Sequence, residues 1–347
     1  MVGNVVILYL VLALYCFFIG LIIDLSKKIL KQNNFILIII LLLIVMAVGF
    51  RDIVEFSDTE AYYYRFIDIT SIVNINEFIF DFLMLVVKKI GWSYQYFLIL
   101  IAGLYYSFSY LTLKEYSKKY FVDIYFSVFI FLSMFFTYTL SVNIIRQGLA
   151  ISLMLYGLLV LMDKKKITKA NSLFLIAFFI HNSIGVVLFI YFILVKFNKI
   201  KLSFYYLVYV ISVILSYFKI NIFGGWNILK NYGTYLTGSL EYSVGFKPGV
   251  VLFNTLFLLL GYYVIKKINY NFVDKSYLRI YKLYILLSSI FFMLSEIPFS
   301  DRFGVLGWAL IPYLIIPLFS YKVGIVKTFL VSFFILFYFV LKFYFSS

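Results

Sequence analysis

Apolar runs close to 20 residues long recur from one end of this sequence to the other, and that recurrence leaves few folds open. A helix rises about 1.5 Å per residue, so roughly 20 apolar residues cross the hydrocarbon core of a bilayer with every backbone hydrogen bond satisfied inside the segment. Runs of this kind are read at 5–23, 35–50, 93–113, 121–140, 143–162, 170–180, 184–195, 203–219, 250–265, 279–297, 303–319 and 324–343. The expectation is an all-α polytopic membrane protein with about 12 transmembrane segments. It forms a single integral membrane domain over residues 1–347, with outer loops at 51–92 and 220–249. The stretch from Asn76 to Ile90 is apolar yet carries Glu77, Asp81, Lys88 and Lys89, and suits an amphipathic helix lying on the outer surface.

Charge sets the orientation. No basic residue precedes the first run, whereas Asp24, Lys27 and Lys28 follow it. That is the reverse of a signal peptide, so the run is expected to be retained with the N-terminus outside. Counted from there, 20 of the 30 Lys and Arg and 5 of the 15 acidic residues fall inside, so the inner face carries the whole net charge of +15 and both termini lie outside. The count depends on reading Ala170 to Val195 as a hairpin broken at His181, Asn182 and Ser183; a single span there evens the basic residues to 15 and 15. Each arm is about 12 residues, or roughly 18 Å, which leaves His181 within the membrane profile beside a wet cavity.

Several chemistries are excluded. The basic residues are scattered among short loops rather than gathered on one face, so nucleic acid is not an expected partner. Cys16 is the only cysteine, which rules out an internal disulfide and cysteine-based zinc sites, and Tyr15 before it argues against a lipoprotein cleavage site. HExxH, DxD, P-loop and GxSxG motifs are all missing, so no metal or other cofactor is expected.

The densest polar stretch, Arg51 to Asp68, packs two arginines, five carboxylates and three consecutive tyrosines into eighteen residues. It belongs at a water-facing surface or a wet cavity, and is read as the main wall of an active site. Arginine usage points the same way. Of 25 Lys and 5 Arg, four arginines, Arg51, Arg65, Arg146 and Arg302, fall on the outer side. A planar guanidinium binds phosphate oxygens bidentately, so the four are candidate ligands for an outward-facing anion. Arg146 and Arg302 each fall in the first turn of a helix, where a bound anion offsets an otherwise unfavourable dipole.

Asn143, Arg146, Gln147 and Ala150 share one helical face as a polar strip toward the cavity. Ser300 or Asp301 can cap the helix bearing Arg302, after a break at Pro298. The plainer alternative pairs Arg302 with Glu296 or Asp301 and Arg51 with Asp52, or has them snorkel at helix ends. Asp58 is the first choice among the carboxylates Asp52, Glu55, Asp58 and Glu60 for a general base, and His181, the only histidine, the second; a structural histidine is the alternative. Trp226, Tyr232, Tyr235 and Tyr242 in the glycine-rich 220–249 loop suit sugar stacking or a lid, or else an interfacial aromatic belt.

The run FRDIVEFSDTEAYYYRF resembles the first outer motif of the EpsG-type branch of bacterial O-antigen and exopolysaccharide polymerases, also called Wzy, with Arg51, Asp58 and Tyr62 at the matching positions. Ser57 stands where that family usually has a glycine. NIIRQGLAISLMLYGLLVL, followed by a lysine cluster and AFFIHNSIG, resembles the second signature through Arg146, Gln147, His181 and Ser183, and DRFG at Asp301 resembles a late arginine motif. The resemblance implies a metal-independent, C-type-like glycosyltransferase of the bacterial inner membrane. Its donor is a glycan on undecaprenyl diphosphate, its acceptor a lipid-linked repeat unit, and a chain-length regulator its expected partner. Rival classes are a lipid-linked oligosaccharide flippase, which needs polar groups through the depth of the bundle, and a membrane acyltransferase using His181 and Asn182.

Overall fold

The computed structural model describes residues 2–26, 34–53, 56–72, 77–161, 166–220, 244–267, 275–298 and 300–320. No strand occurs among them, and the chain divides into two compact units, residues 1–185 with 316–347 and residues 186–315.

The first unit holds α1 (Val2–Ser26), α2 (Asn34–Gly49), α3 (Ser57–Asp68), α4 (Phe78–Lys89), α5 (Tyr94–Tyr120), α6 (Ile124–Leu132), α7 (Phe135–Val142), α8 (Ile145–Val160) and α9 (Ile167–Ile180). Every side chain of α2 after Asn34 is apolar or glycine, so composition says nothing of which face turns inward. Burial does: Leu37, Ile40, Ile44 and Val48 form one stripe toward α5, while Phe35, Ile39, Leu42 and Met46 are exposed on the surface that lipid would cover. α5 is the central post, packing against α2, α6 and α8, and α8 packs in turn on α9.

The apolar run at 121–140, expected as one segment, is broken. α6 and α7 meet at Ser133 and Met134 with a bend of 72°. The Thr137 hydroxyl lies 2.7 Å from the Phe131 carbonyl and 2.6 Å from that of Met134, and Tyr105 donates to the Thr137 carbonyl at 3.2 Å. These side chains satisfy backbone groups that the break removes from the helical pattern, which lets it persist in an apolar surrounding. The bend turns α7 back so that its end lies against the start of α8. There Gly148 faces the Leu140 carbonyl so closely that no Cβ fits between them.

α10 (Ile184–Lys196) starts at the end of the first unit and continues into the second, which adds α11 (Leu202–Tyr217), α12 (Pro248–Lys267), α13 (Lys275–Met293), α14 (Asp301–Trp308) and α15 (Ile311–Ile315). The core here is tyrosine-rich for a reason. Tyr277, Tyr281 and Tyr284 of α13 aim their hydroxyls at carbonyls of α12: Gly261 at 3.5 Å, Leu258 at 2.7 Å and Asn254 at 2.9 Å. The buried Asn254 Oδ1 also accepts from Ser288, Trp308 and Tyr284 at 3.1, 3.2 and 3.3 Å. The rings fill apolar volume while their polar tips are spent on backbone, as a membrane interior requires.

Four helical stretches, 5–23, 94–120, 248–266 and 301–319, are long and apolar enough to cross a bilayer, and the bent α6–α7 pair makes a fifth. Five shorter apolar helices, among them α8, α9, α10 and α11, accompany them. The expected final run at 324–343 and most of the 220–249 loop, Trp226 included, lie outside the described residues.

Candidate functional site

The polar stretch after α2 folds back onto the α7–α8 junction. Arg51 is 3% exposed. Its Nη1 donates to the Val48 carbonyl at 2.6 Å, closing the end of α2, and its Nη2 donates to the Thr59 hydroxyl at 3.1 Å. Thr59 passes its own proton to the Val142 carbonyl at 2.7 Å, and the Asp58 backbone N–H donates to Asn143 Oδ1 at 3.2 Å. Tyr94 donates to the Thr59 carbonyl at 2.9 Å. α3 is therefore stapled at its start to the chain that immediately precedes Arg146. Asp58 and Glu60 sit in its first turn and Arg65 in its last, the arrangement that suits a helix dipole. Ser57 begins the helix without a left-handed backbone angle, so glycine is not needed there. At the other end Lys88 donates to the carbonyls of Ile67 and Ile69.

α4 forms where the amphipathic helix was expected, but its acidic face is not turned to water. Asp81 is 1% exposed and Glu77, which precedes the helix, 9%. The two stand four residues apart on one face, and each holds one arginine. Asp81 Oδ2 meets Arg65 Nη2 at 2.6 Å, and Glu77 Oε2 meets Arg146 Nη1 at 2.6 Å. The other Glu77 oxygen accepts the Asn182 N–H at 3.2 Å and stands 3.8 Å from His181 Nδ1, beyond hydrogen-bonding reach. One carboxylate thus joins the head of α4, the first turn of α8 and the break between α9 and α10.

Both breaks expected from the sequence are present. α8 begins at Ile145, which puts Arg146 in its first turn, and the turn of His181, Asn182 and Ser183 separates α9 from α10. His181 Nδ1 accepts the Ser183 N–H at 3.2 Å, so in the neutral ring the proton sits on Nε2. The Arg146 guanidinium lies 5.7 Å from the Tyr62 ring centre, and the same ring packs on Phe80 with centroids 5.2 Å apart. Arg146 Nε and Ser183 Oγ are buried with no hydrogen-bond partner among the described residues. Gln147 and Ala150 are buried within the helix packing.

Of the residues read from the sequence, Arg51, Asp58, Tyr62, Arg65, Asn143, Arg146, Gln147 and His181 belong to the first unit, and Asp301 and Arg302 open α14 in the second. Ser300 precedes that helix without a side-chain cap. Glu77 is the residue that sequence reasoning passed over. Its signal was a pair of carboxylates at helical spacing inside an apolar run. Among the described residues no three His, Cys, Asp or Glu side chains converge as a metal site would require.

Membrane-length apolar helices around buried, paired ionisable groups define a polytopic α-helical membrane protein. A family model described as the EpsG family matches residues 33–347, and the chain belongs to that family, a branch of the Wzy-like polysaccharide polymerases. No curated protein matches the chain, and no solved structure does either.

Proposed function

We propose that this protein joins undecaprenyl-diphosphate-linked repeat units into polysaccharide by metal-independent glycosyl transfer on the outer face of the bacterial inner membrane. The observation that carries the reading is Arg146: within an EpsG-family chain, it is a guanidinium fixed at one nitrogen while its buried Nε has no acceptor among the described residues. An unsatisfied buried donor is costly, and a phosphate oxygen relieves that cost. In the reaction, an acceptor hydroxyl attacks the anomeric carbon of the donor glycan. The new C–O bond forms as the bond to the diphosphate breaks, and the hydroxyl proton passes to a base. Arg146 then donates to the charge that develops on the leaving lipid diphosphate.

Asp58 is the better base. The Nδ1 lone pair of His181 is committed to Ser183, which makes its Nε2–H a donor, suited to a sugar or phosphate oxygen. Tyr62 and Asn143 are assigned to the sugar. The same reading has twelve crossings with both termini outside, and a chain-length regulator as partner.

The test incubates purified protein with lipid-diphosphate repeat units and separates the products by size, beside Arg146→Ala and the double variant Arg146→Ala/Glu77→Gln. The double variant removes the unpaired carboxylate that the single one leaves behind. A ladder with wild type and none with either variant, both remaining folded, supports the assignment. A ladder restored in the double variant shows that Arg146 only balances Glu77 and refutes it.

A further inference from the structure

We propose that Glu77 is the positioning residue of the anion site: it grips Arg146 by Nη1 alone, so that the Nε–Nη2 edge is presented to a diphosphate, and it ties that arginine to the turn at His181. The identity of the anion rests on the polymerase reading; the geometry does not.

The two carboxylates of α4 treat their arginines differently. A guanidinium offers a carboxylate or phosphate two bidentate edges, Nη1–Nη2 at its end and Nε–Nη2 along its side. Asp81 bonds Arg65 through Nη2, the nitrogen common to both edges, and takes one of the two hydrogens it carries. Glu77 bonds Arg146 through Nη1, which belongs to the end edge only, and the side edge keeps its buried Nε without a partner. The same guanidinium lies 5.7 Å from the Tyr62 ring centre, a cation–π contact that favours its present place. The second oxygen of Glu77 holds the Asn182 N–H, which places Ser183, whose buried hydroxyl also has no partner, in the chain segment that Glu77 anchors. Two orphaned donors, attached to the two segments that one carboxylate joins, form a site that an acceptor-rich anion completes. The two carboxylates thereby differ: Asp81 engages the nitrogen shared by both edges of Arg65, and Glu77 leaves the side edge of Arg146 with its N–H groups.

A counter-ion and a positioner differ in sign. If Glu77 only balances charge, Glu77→Gln removes a repulsive neighbour and tightens anion binding. If it positions Arg146, the same change lets the guanidinium turn and weakens binding. Calorimetric titration of the full chain in lipid nanodiscs with inorganic pyrophosphate separates the two without reference to polymerisation. The expected result is a Kd raised about tenfold or more in Glu77→Gln, the scale of one charge-assisted hydrogen bond, at unchanged stoichiometry and with partial recovery in Glu77→Asp. An unchanged or lowered Kd overturns the proposal. So does a loss of stoichiometry at constant Kd, which reports folding alone, and so does wild-type protein that binds no pyrophosphate. Pyrophosphate behaviour as expected, with no ladder from verified substrate, leaves the positioning role standing and removes the polymerase reading.

Discussion

Gly148 sets how closely the end of α7 approaches the start of α8, and Gly148→Ala measures what that closeness contributes. A Cβ placed on Gly148 falls on the Leu140 carbonyl oxygen and reaches 3.0 Å from its carbon. Both are backbone atoms, so no side chain can swing aside and the helices must part. Overpacking of this kind costs about 1–3 kcal/mol, and an immovable neighbour puts the cost at the upper end. Replacing glycine by alanine inside a helix returns about 1 kcal/mol, for a net loss of about 2 kcal/mol. Gly103→Ala in α5 is the matched control, because its new Cβ meets only Val45 Cγ1 at an ordinary 3.9 Å. It keeps the propensity gain and is expected to stabilise by up to about 1 kcal/mol. Thermal unfolding of the two variants in the same detergent, followed by tryptophan fluorescence, should therefore move in opposite directions from wild type. Variants that shift together, or a Gly148→Ala protein as stable as wild type, refute the close approach.

Three further substitutions test pairings, two in the first unit and one in the second. Arg65→Ala leaves the buried Asp81 as an uncompensated charge and is expected to cost about 2–3 kcal/mol, reduced from a fully buried pair because Arg65 is about a third exposed, whereas Asp81→Asn costs about 1 kcal/mol; equal losses in thermal unfolding contradict the buried position of Asp81. In the second unit Asn254→Leu keeps the volume but removes the acceptor shared by Ser288, Trp308 and Tyr284, for an expected loss of about 2–3 kcal/mol and a shift in the emission of Trp308; an unchanged melting temperature argues against the shared acceptor.

What the sequence makes legible here is where backbone must leave the helical pattern. The breaks at Asn143, His181 and Pro298 are marked by polar residues or proline in apolar surroundings, and helices end close to each. The break between α6 and α7 is marked only by Ser133, and a lone serine also sits inside the helices here, as Ser127 does in α6 and Ser152 in α8. The break depends on tertiary partners of Thr137 that no local pattern reveals. The site divides in the same way. Counting arginines identifies a set of cations that lysine does not replace, but charge alone does not distinguish a cation that closes the structure from one that faces a ligand.

Arg51 and Arg65 spend the donors described here on Val48, Thr59 and Asp81, so any anion reaching them competes with bonds that hold α2, α3 and α4 together. Arg146 differs from Arg65 in which nitrogen its carboxylate takes. That choice follows from where Glu77 stands relative to α8, a distance of nearly seventy residues along the chain, and so it is fixed by packing and not by any motif around either residue. An anion site of this kind is accordingly legible in sequence only as an inventory of charges. The folded structure supplies the direction in which each one is free to act.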